Sequence, residues 1–530
     1  MEPIGSQPRQ RTSAIAATIP GACAWGWSFV VHELQRLRLP SPARPVPEFA
    51  EGRRTIFQRS GIYLFLISFA CVHYLLNAPV LLGHYDLGWH LAAGDLIRQQ
   101  GSIPLQDPWS FTSGETPWIN LSWLWDVFSS VLFQHARFVG LTLFVVACGG
   151  LIVGYLTSAC LSTGASAIAV CSSVLSASLL YPAFETFPNI YLAASPNIAT
   201  MVFSVIFYVE CLKGTKRLCL LPAMMVLWAN LHGGFLLGLL IVGTFGGVAL
   251  LTRDWVKFKI YSFVGIGCFV ATFINPLGWH IYEGLTTTLG NVAQAHITEW
   301  RPYYQDIALP GSIPGIIYIL TFVAFELRYY RGSCPLAPRL LSWLFLFLGL
   351  YEFRYMSFFF ILSTVPLALH LDRLFPSRLN NFAVERSLLA AGIVATCVLP
   401  LAYMQIEPAL GLPEMLSEQD VQYLQTHFPH ARLLNHWNFG GLLIFRNRGA
   451  IPVFVDGRAS TAYPEALLRD YFKLGQSEID ETAWDTVLKK YHVDTVLWVR
   501  AHDELRQFLV GERGWKEAYT GTYASIYVRP

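Results

Sequence analysis

The chain has 530 residues, 54% hydrophobic and 14% aromatic, with only 14% charged and a formal net charge of +2. A mean hydropathy of +0.42, with a charged fraction well below the roughly 25% of soluble domains, excludes an ordinary soluble protein and points to a polytopic α-helical membrane protein. No basic stripe interleaved with aromatics occurs outside the turns flanking apolar runs, so nucleic acid is not an expected partner.

Residues 1–60 carry eight arginines and the linker LPSPARPVPEF, and read as a cytoplasmic N-terminal extension. An apolar patch at 14–31 is interrupted by proline and glycine and reads as a cytoplasmic tail or interfacial helix, with a spanning helix as the alternative. Eleven apolar runs follow that approach the roughly 20 residues a spanning helix needs. They lie near 61–83, 138–160, 163–183, 195–213, 217–232, 234–252, 259–275, 313–328, 338–351, 354–372 and 387–405, which predicts about 11 transmembrane helices over 61–405. Basic residues cluster in four turns: Lys213, Lys216 and Arg217; Arg253, Lys257 and Lys259; Arg328, Arg331 and Arg339; Arg373, Arg378 and Arg386. With eleven spans and a cytoplasmic N-terminus, all four turns fall inside. The other face then receives the loop 84–137, the turn around Glu185–Asn197, the corner Asn230–His232, the loop 275–312, the Glu352–Arg354 hairpin and everything after about 405.

In that first loop, 89–100 and 119–135 read as interfacial helices whose Trp and Leu side chains sit at headgroup level. After Gln405 the composition turns soluble. β-type runs at Arg432–Asn435, Pro452–Asp456 and Val493–Val499 alternate with helical patterns at Pro464–Lys473, Thr482–Tyr491 and Asp503–Val510. Trp515–Arg529 reads as a hairpin, so 406–530 is expected to be an α/β domain with a mixed sheet. The ten cysteines avoid 84–147 and everything after Cys397, which excludes a disulfide framework in the exported parts.

The nucleotide cradles G-x-x-x-x-G-K-[ST] and G-x-G-x-x-G are absent, and so is D-x-D. A lipid-borne substrate suits the location better than a nucleotide. The stretch His84–Asp126 packs four aspartates, two histidines, five tryptophans and three X-Pro turns into a loop between apolar runs. Asp86 follows the first span closely. Its carboxylate there is a general base, a ligand for a divalent metal (Mg or Mn), or a plain helix cap. His90 lies one helical turn on and Asp95 nine residues on, and both are candidate catalytic neighbours, with a solvated interfacial carboxylate as the plain reading of Asp95. Asp107, before a proline, reads as a turn residue, and Trp118–Asp126 as an aromatic anchor. His232, in Asn-Leu-His-Gly-Gly-Phe, contacts a phosphate or acceptor, or is a packed, hydrogen-bonded histidine. Arg354 needs an anion, either Glu352 or a lipid phosphate. Glu299 and Arg301, in Glu-Trp-Arg-Pro, pose the same choice.

These motifs carry a resemblance. Asp-x-Gly-Trp-His-Leu-x-x-Gly-Asp (86–95), Ile-Pro-x-x-Asp-Pro-x-Ser-Phe-Thr (103–112) and Trp-Ile-Asn-x-Ser-Trp-Leu (118–124) are similar to the first exoplasmic loop of bacterial GT-C-type membrane glycosyltransferases. Asn-Leu-His-Gly-Gly-Phe (230–235), Asn-Pro-Leu-Gly-Trp (275–279), Glu-Trp-Arg-Pro (299–302), Arg354 and Val-Asp-Gly-Arg (455–458) extend it over most of 61–530. The resemblance implies a polyprenyl-phosphate-linked sugar donor and a glycan, lipid or protein acceptor. It implies Asp86 as the catalytic or metal-binding carboxylate, basic residues such as Arg354 on the lipid phosphate, and a bacterial inner-membrane location with 406–530 in the periplasm. Two departures stand out: Asp86 follows Tyr85 where many relatives pair acids, and Ser195-Pro196-Asn197 replaces an Arg-Pro-Gln run. Leu433–Gly441 resembles the WWDYG run of oligosaccharyltransferase catalytic subunits, matching at Trp437 and Gly440, which implies an acceptor-side role for Trp437. The rival readings are a transporter or flippase for a lipid-linked saccharide and a non-catalytic assembly component. Against transport, charges are scarce mid-span and no inverted repeat is visible.

Overall fold

A computed structural model describes residues 53–180, 193–288, 291–297, 300, 302–303, 313–329, 334–374, 382–412, 415–475 and 479–530. The expectations for 1–52, the patch at 14–31, the turn after Glu185, and Glu299 and Arg301 fall outside these residues.

Each of the eleven apolar runs is helical over its described part. The first is Arg53–Leu76 with the short Ala78–Leu82 behind it. The second belongs to Trp123–Ser162, broken at Arg137 by non-helical angles (φ 49°, ψ −146°). The others form Ala167–Leu180, Asn197–Lys213, Leu221–Leu231, Leu236–Leu251, Trp255–Ala271, Ile313–Tyr329, Leu336–Tyr351, Met356–Leu362 with Thr364–Leu374, and Phe382–Ile406. Among the described residues, four helices are long and apolar enough to cross a membrane: Arg59–Leu76, Trp123–Ser162, Gly233–Leu251 and Arg386–Ala409. The pair Phe353–Leu362 and Thr364–Leu374, bent by 47°, makes a fifth if taken as one span. Several of the other apolar helices have 16 or 17 residues. At 1.5 Å per residue they rise about 25 Å, short of the roughly 30 Å hydrocarbon core. The chain is therefore a multi-pass membrane protein, in which the expected runs outnumber the helices that span by length alone.

The helical part buries one continuous core, including Leu66, Leu81, Leu87, Trp228, Phe235 and Phe345. The terminal segment holds a four-stranded sheet in the order β1-β2-β4-β3. β1 (Leu433–Asn435) is parallel to β2 (Thr495–Val499), which pairs antiparallel with β4 (Ala524–Val528). β3 (Lys516–Thr520) and β4 form the expected hairpin. The sheet is mixed, as its alternation suggested. The run 452–456 is not one of its strands. It pairs instead with the first loop: Val453 N donates to Trp109 O at 2.9 Å, and Ser110 and Val453 form a parallel bridge.

That pairing changes the division of the chain. A second hydrophobic core takes Trp89, Ala93, Trp109 and Trp118 from the first loop together with Leu433, Phe439, Leu442, Val453, Phe454, Trp484 and Trp498. The loop expected to belong with the helical domain thus shares its core with 406–530. Its tryptophans at 89, 109, 118 and 125 are all less than a tenth exposed, so they are packing residues and not headgroup anchors. Trp109 and Trp89 each meet Trp118 edge-on, at 5.5 and 6.5 Å between centroids. Such pairs add about 0.5–1.5 kcal/mol beyond area burial.

The helix Leu87–Gln100 lies on Trp437–Asn447 with almost no side chain between them. A Cβ at Gly88 would fall 2.4 Å from the carbonyl oxygen of Gly441. Backbone is on both sides of this contact, so no rotamer can relieve it. Gly88→Ala is expected to destabilise the protein by about 1–3 kcal/mol, read as a lower thermal midpoint in detergent. A midpoint unchanged within error would mean the two helices are free to separate there.

Candidate active site

Between the two cores lies a cavity of about 400 Å³, lined by His84, Asp86, His90, Thr200, His232, Arg354, Trp437 and Gly457, among others. The volume falls in the ordinary range of small-molecule sites.

Asp86 is the N-cap residue of Leu87–Gln100, yet its side chain makes no capping hydrogen bond. The capping reading therefore fails, and the carboxylate is left to the cavity, about a third exposed. On one side it abuts Gly457, where a Cβ would fall 1.8 Å from Asp86 Oδ1. Only glycine leaves room for a carboxylate there. On another side is His84, whose Nδ1 lies 3.9 Å from Asp86 Oδ2 and accepts the Asp86 backbone N–H at 3.3 Å. Burial lowers the His84 pKa, against the pull of Asp86 and together with the push of His90. With Nδ1 acting as acceptor, the neutral ring carries its proton on Nε2, and Asp86 gains no fixed counter-charge from it.

His90 and Asp95 part company. His90 stands one turn from Asp86 and lines the same cavity, with Nδ1 2.6 Å from Asp126 Oδ1. Asp126 is fully buried and accepts a second bond from Asn120 Nδ2 at 2.7 Å. The pair fixes the His90 ring. Asp95, nine residues on, is half a turn out of phase at about 100° per residue. Its carboxylate accepts from Ser130 Oγ at 2.6 Å and Arg98 Nη1 at 3.2 Å, and it lines a different cavity. The expected grouping of Asp95 with Asp86 is corrected by helix phase alone.

Val455–Arg458 holds Gly457 in place. Arg458 is buried and grips Asp456 through Nε at 2.8 Å and Nη2 at 2.6 Å, while Nη1 donates to Asp107 Oδ1 at 2.6 Å. Tyr463 OH donates to Asp456 Oδ2 at 2.6 Å. The guanidinium sits among the rings of Trp109, Trp118 and Tyr463, at 5.0, 4.9 and 5.6 Å from their centroids. Asp107 keeps its expected turn role, accepting from Trp109 N at 2.9 Å and from Ser110 Oγ. It is also the loop's ion-pair partner to the terminal segment, which local sequence could not show. Burial raises the Asp107 pKa more than Arg458 lowers it. Burial pushes Asp456 up as well, but Arg458's charge and hydrogen bonds hold it below the usual carboxylate range.

His232 lies at the break between Leu221–Leu231 and Leu236–Leu251. Its Nδ1 accepts from Gly234 N at 3.2 Å and meets Thr200 Oγ1 at 2.6 Å, and Thr200 Oγ1 accepts from Trp228 Nε1 at 3.0 Å. The ring is hydrogen-bonded, as one of the two expectations has it, and it also lines the cavity, where the other would place it. Burial, then Arg354 and His90, lowers its pKa to about 3. Between that value and the ordinary 6.5, unfolded chains bind a proton that the folded protein refuses. Stability is therefore expected to fall as pH drops below about 6.5 and to level off below about 3. His232→Gln should flatten this limb, measured as the difference in thermal midpoint between pH 7.5 and 5.0. An unaltered slope would assign it to other groups.

Arg354 sits in the turn Phe353–Tyr355. Nε donates to Glu352 Oε2 at 3.1 Å and Nη2 to Tyr355 OH at 3.0 Å, and Cζ lies 3.3 Å over the Trp300 ring. So Trp300, from the Glu-Trp-Arg-Pro knot, meets Arg354 at the cavity. Ser195, Pro196 and Asn197 line the same wall. Arg458 is fully buried between two carboxylates, and Arg354, paired with Glu352 as one of its two expected anions and about a fifth exposed, is the other cation lining the cavity among the described residues. Trp437 lines the cavity and packs against Tyr471 and Phe472, whereas Gly440 and Gly441 serve close packing. Residues that sequence reasoning left without a role are His84, Thr200, Asp126 and Asn120. The signal for Asp126 was its place as the fourth aspartate of the dense loop.

Asp86 with His84 offers two side-chain donors, where Mg or Mn takes about six ligands, mainly oxygen. Among the described residues no group of three or more His, Cys, Asp or Glu side chains is arranged to hold a metal ion. These residues alone do not form a cage for the metal expected at Asp86.

No protein-family model matches the sequence, and no curated protein does. Solved structures do. The Archaeoglobus fulgidus oligosaccharyltransferase in the apo form matches with a TM-score of 0.50 at 10% identity, covering 85% of this chain and 71% of that one. The same enzyme tethered to an acceptor peptide containing the NVT sequon matches at 0.48 and 11%, covering 86% and 73%. The A. fulgidus enzyme with an inhibitory peptide and a dolichol-phosphate matches at 0.49 and 11%, with the same coverage. At such identities the likeness to the apo enzyme is one of fold, and it gives this chain a GT-C-like architecture.

Proposed function

We propose that this GT-C-like chain is a glycosyltransferase of the bacterial inner membrane. It moves a sugar from a polyprenyl-phosphate donor to a glycan, lipid or protein acceptor at the periplasmic face, with the N-terminus cytoplasmic and 406–530 outside. The observation that carries this reading is the Asp86 carboxylate, uncapped and uncompensated, in one cavity with the Arg354 guanidinium.

Asp86 takes the proton from the acceptor nucleophile as that atom bonds to the anomeric carbon. The bond from that carbon to the phosphate oxygen breaks, and the electron pair leaves on the lipid phosphate. Arg354 stabilises the growing charge there, and the neutral His232 donates from Nε2. His90, held by Asp126, and Gly457, held by Arg458, keep the Asp86 surroundings rigid. Removing one donor of this kind typically costs about 10²–10³ in rate.

The test is reconstitution. Wild-type protein in proteoliposomes, given polyprenyl-phosphate-linked labelled sugar, is expected to transfer label to an acceptor, and Arg354→Ala to do so at least about 100-fold more slowly. Absence of transfer with any lipid-linked donor would turn the reading toward transport or assembly.

A further inference from the structure

The cavity that receives Asp95 is the larger one, about 1150 Å³, and no residue lines both it and the Asp86 cavity. Four arginines line it (Arg98, Arg137, Arg446 and Arg448) against two carboxylates, Asp95 and Glu418. Asp95 is already taken up by Arg98 and Ser130. Arg98 is further held by Ser130 Oγ at 3.0 Å and by Gln134. Among the described residues, neither Arg137 nor Arg448 is in an ion pair. The four arginines come from three separate stretches of chain, which a simple membrane-flank anchor does not require.

Position suggests the ligand. Arg137 marks the break in Trp123–Ser162, and the run that follows it, Phe138–Cys148, carries no charged residue. A basic residue at such a polar-to-apolar transition is where headgroups are expected. Arg137 has non-helical angles inside its helix (φ 49°, ψ −146°), whereas Arg448, at φ 54°, is the left-handed cap that ends Trp437–Asn447. Planar guanidinium groups bind phosphate oxygens two at a time, which favours arginine for this task. The volume exceeds that of a lone phosphate ion and admits a whole headgroup.

We propose that this arginine-lined cavity binds the anionic, phosphate-bearing headgroup of a membrane lipid. The site is distinct from the donor cavity and does not depend on the proposed transfer reaction.

The test uses the full chain in an uncharged detergent, titrated calorimetrically with dihexanoyl phosphatidic acid, dihexanoyl phosphatidylcholine and inorganic phosphate. Phosphatidic acid is expected to bind at least about tenfold more tightly than the net-neutral phosphatidylcholine. Arg137→Gln with Arg448→Gln should weaken it at least about tenfold, the effect of removing one or two charge-assisted hydrogen bonds to phosphate. The double lysine variant, which keeps the charge but loses the paired donors, should bind more tightly than the glutamine pair and more weakly than wild type, and Arg354→Ala should leave binding intact. Gel filtration and circular dichroism establish that the glutamine pair is folded. Equal binding of both lipids, or unchanged binding in a folded glutamine pair, overturns the proposal. Inorganic phosphate binding as tightly as phosphatidic acid overturns the lipid source and leaves a soluble phosphate site.

Discussion

Arg458→Leu is expected to destabilise the protein by about 3–5 kcal/mol, because removing one partner of a buried ion cluster leaves uncompensated charge. Arg458 meets Asp456 and Asp107 with every side-chain atom inaccessible to water, so solvent cannot screen the loss. In the variant both carboxyls must take up protons or unfold their surroundings. Asp456 has a pKa held below the ordinary range. It therefore contributes stability above about pH 3.9 that is lost as pH falls through its lower folded value. The variant is expected to lose that contribution and to unfold in acid at a higher pH than wild type. Denaturant titration in detergent at pH 7, with a parallel acid titration, reads both effects. A loss under about 1 kcal/mol would mean the cluster is no more than a surface ion pair, contrary to its burial. Transfer should fall with stability here, since Gly457 loses the neighbour that holds it under Asp86.

Asp86→Asn is expected to abolish transfer with little change in stability. Asparagine keeps the shape that fits against Gly457 and cannot accept the acceptor's proton. General-base contributions of this kind amount to about 10²–10⁴-fold. The thermal midpoint should stay close to wild type, because the carboxylate makes no capping bond to lose. The pair of readouts separates the two variants: Arg458→Leu lowers stability and transfer together, Asp86→Asn lowers transfer alone. Transfer by Asp86→Asn within about threefold of wild type, far short of a general-base effect, would remove Asp86 from the chemistry.

The sequence alone determined the apolar helices, the mixed sheet with its terminal hairpin, and the density of the loop His84–Asp126. Each rests on local physics: runs of apolar residues, alternation of period two, and polar groups that lipid cannot accept. Asp86, His90, His232, Arg354 and Trp437 were legible as candidates because each breaks a local pattern, and they line one cavity. Asp95 lies apart, as the solvated carboxylate of its plain reading, because helix phase and not proximity in sequence decides which side chains share a face. Only the tertiary structure could join Asp107 to Arg458, 351 positions apart, or bring Gly457 against Asp86. Only it could bury Trp89, Trp109 and Trp118 in a core shared with the terminal segment. A tryptophan at a membrane edge and one in a protein core read alike along the chain, and burial depends on which distant backbone comes close. In this chain that approach is made by glycines at 88, 441 and 457, residues with no side chain to announce their partners.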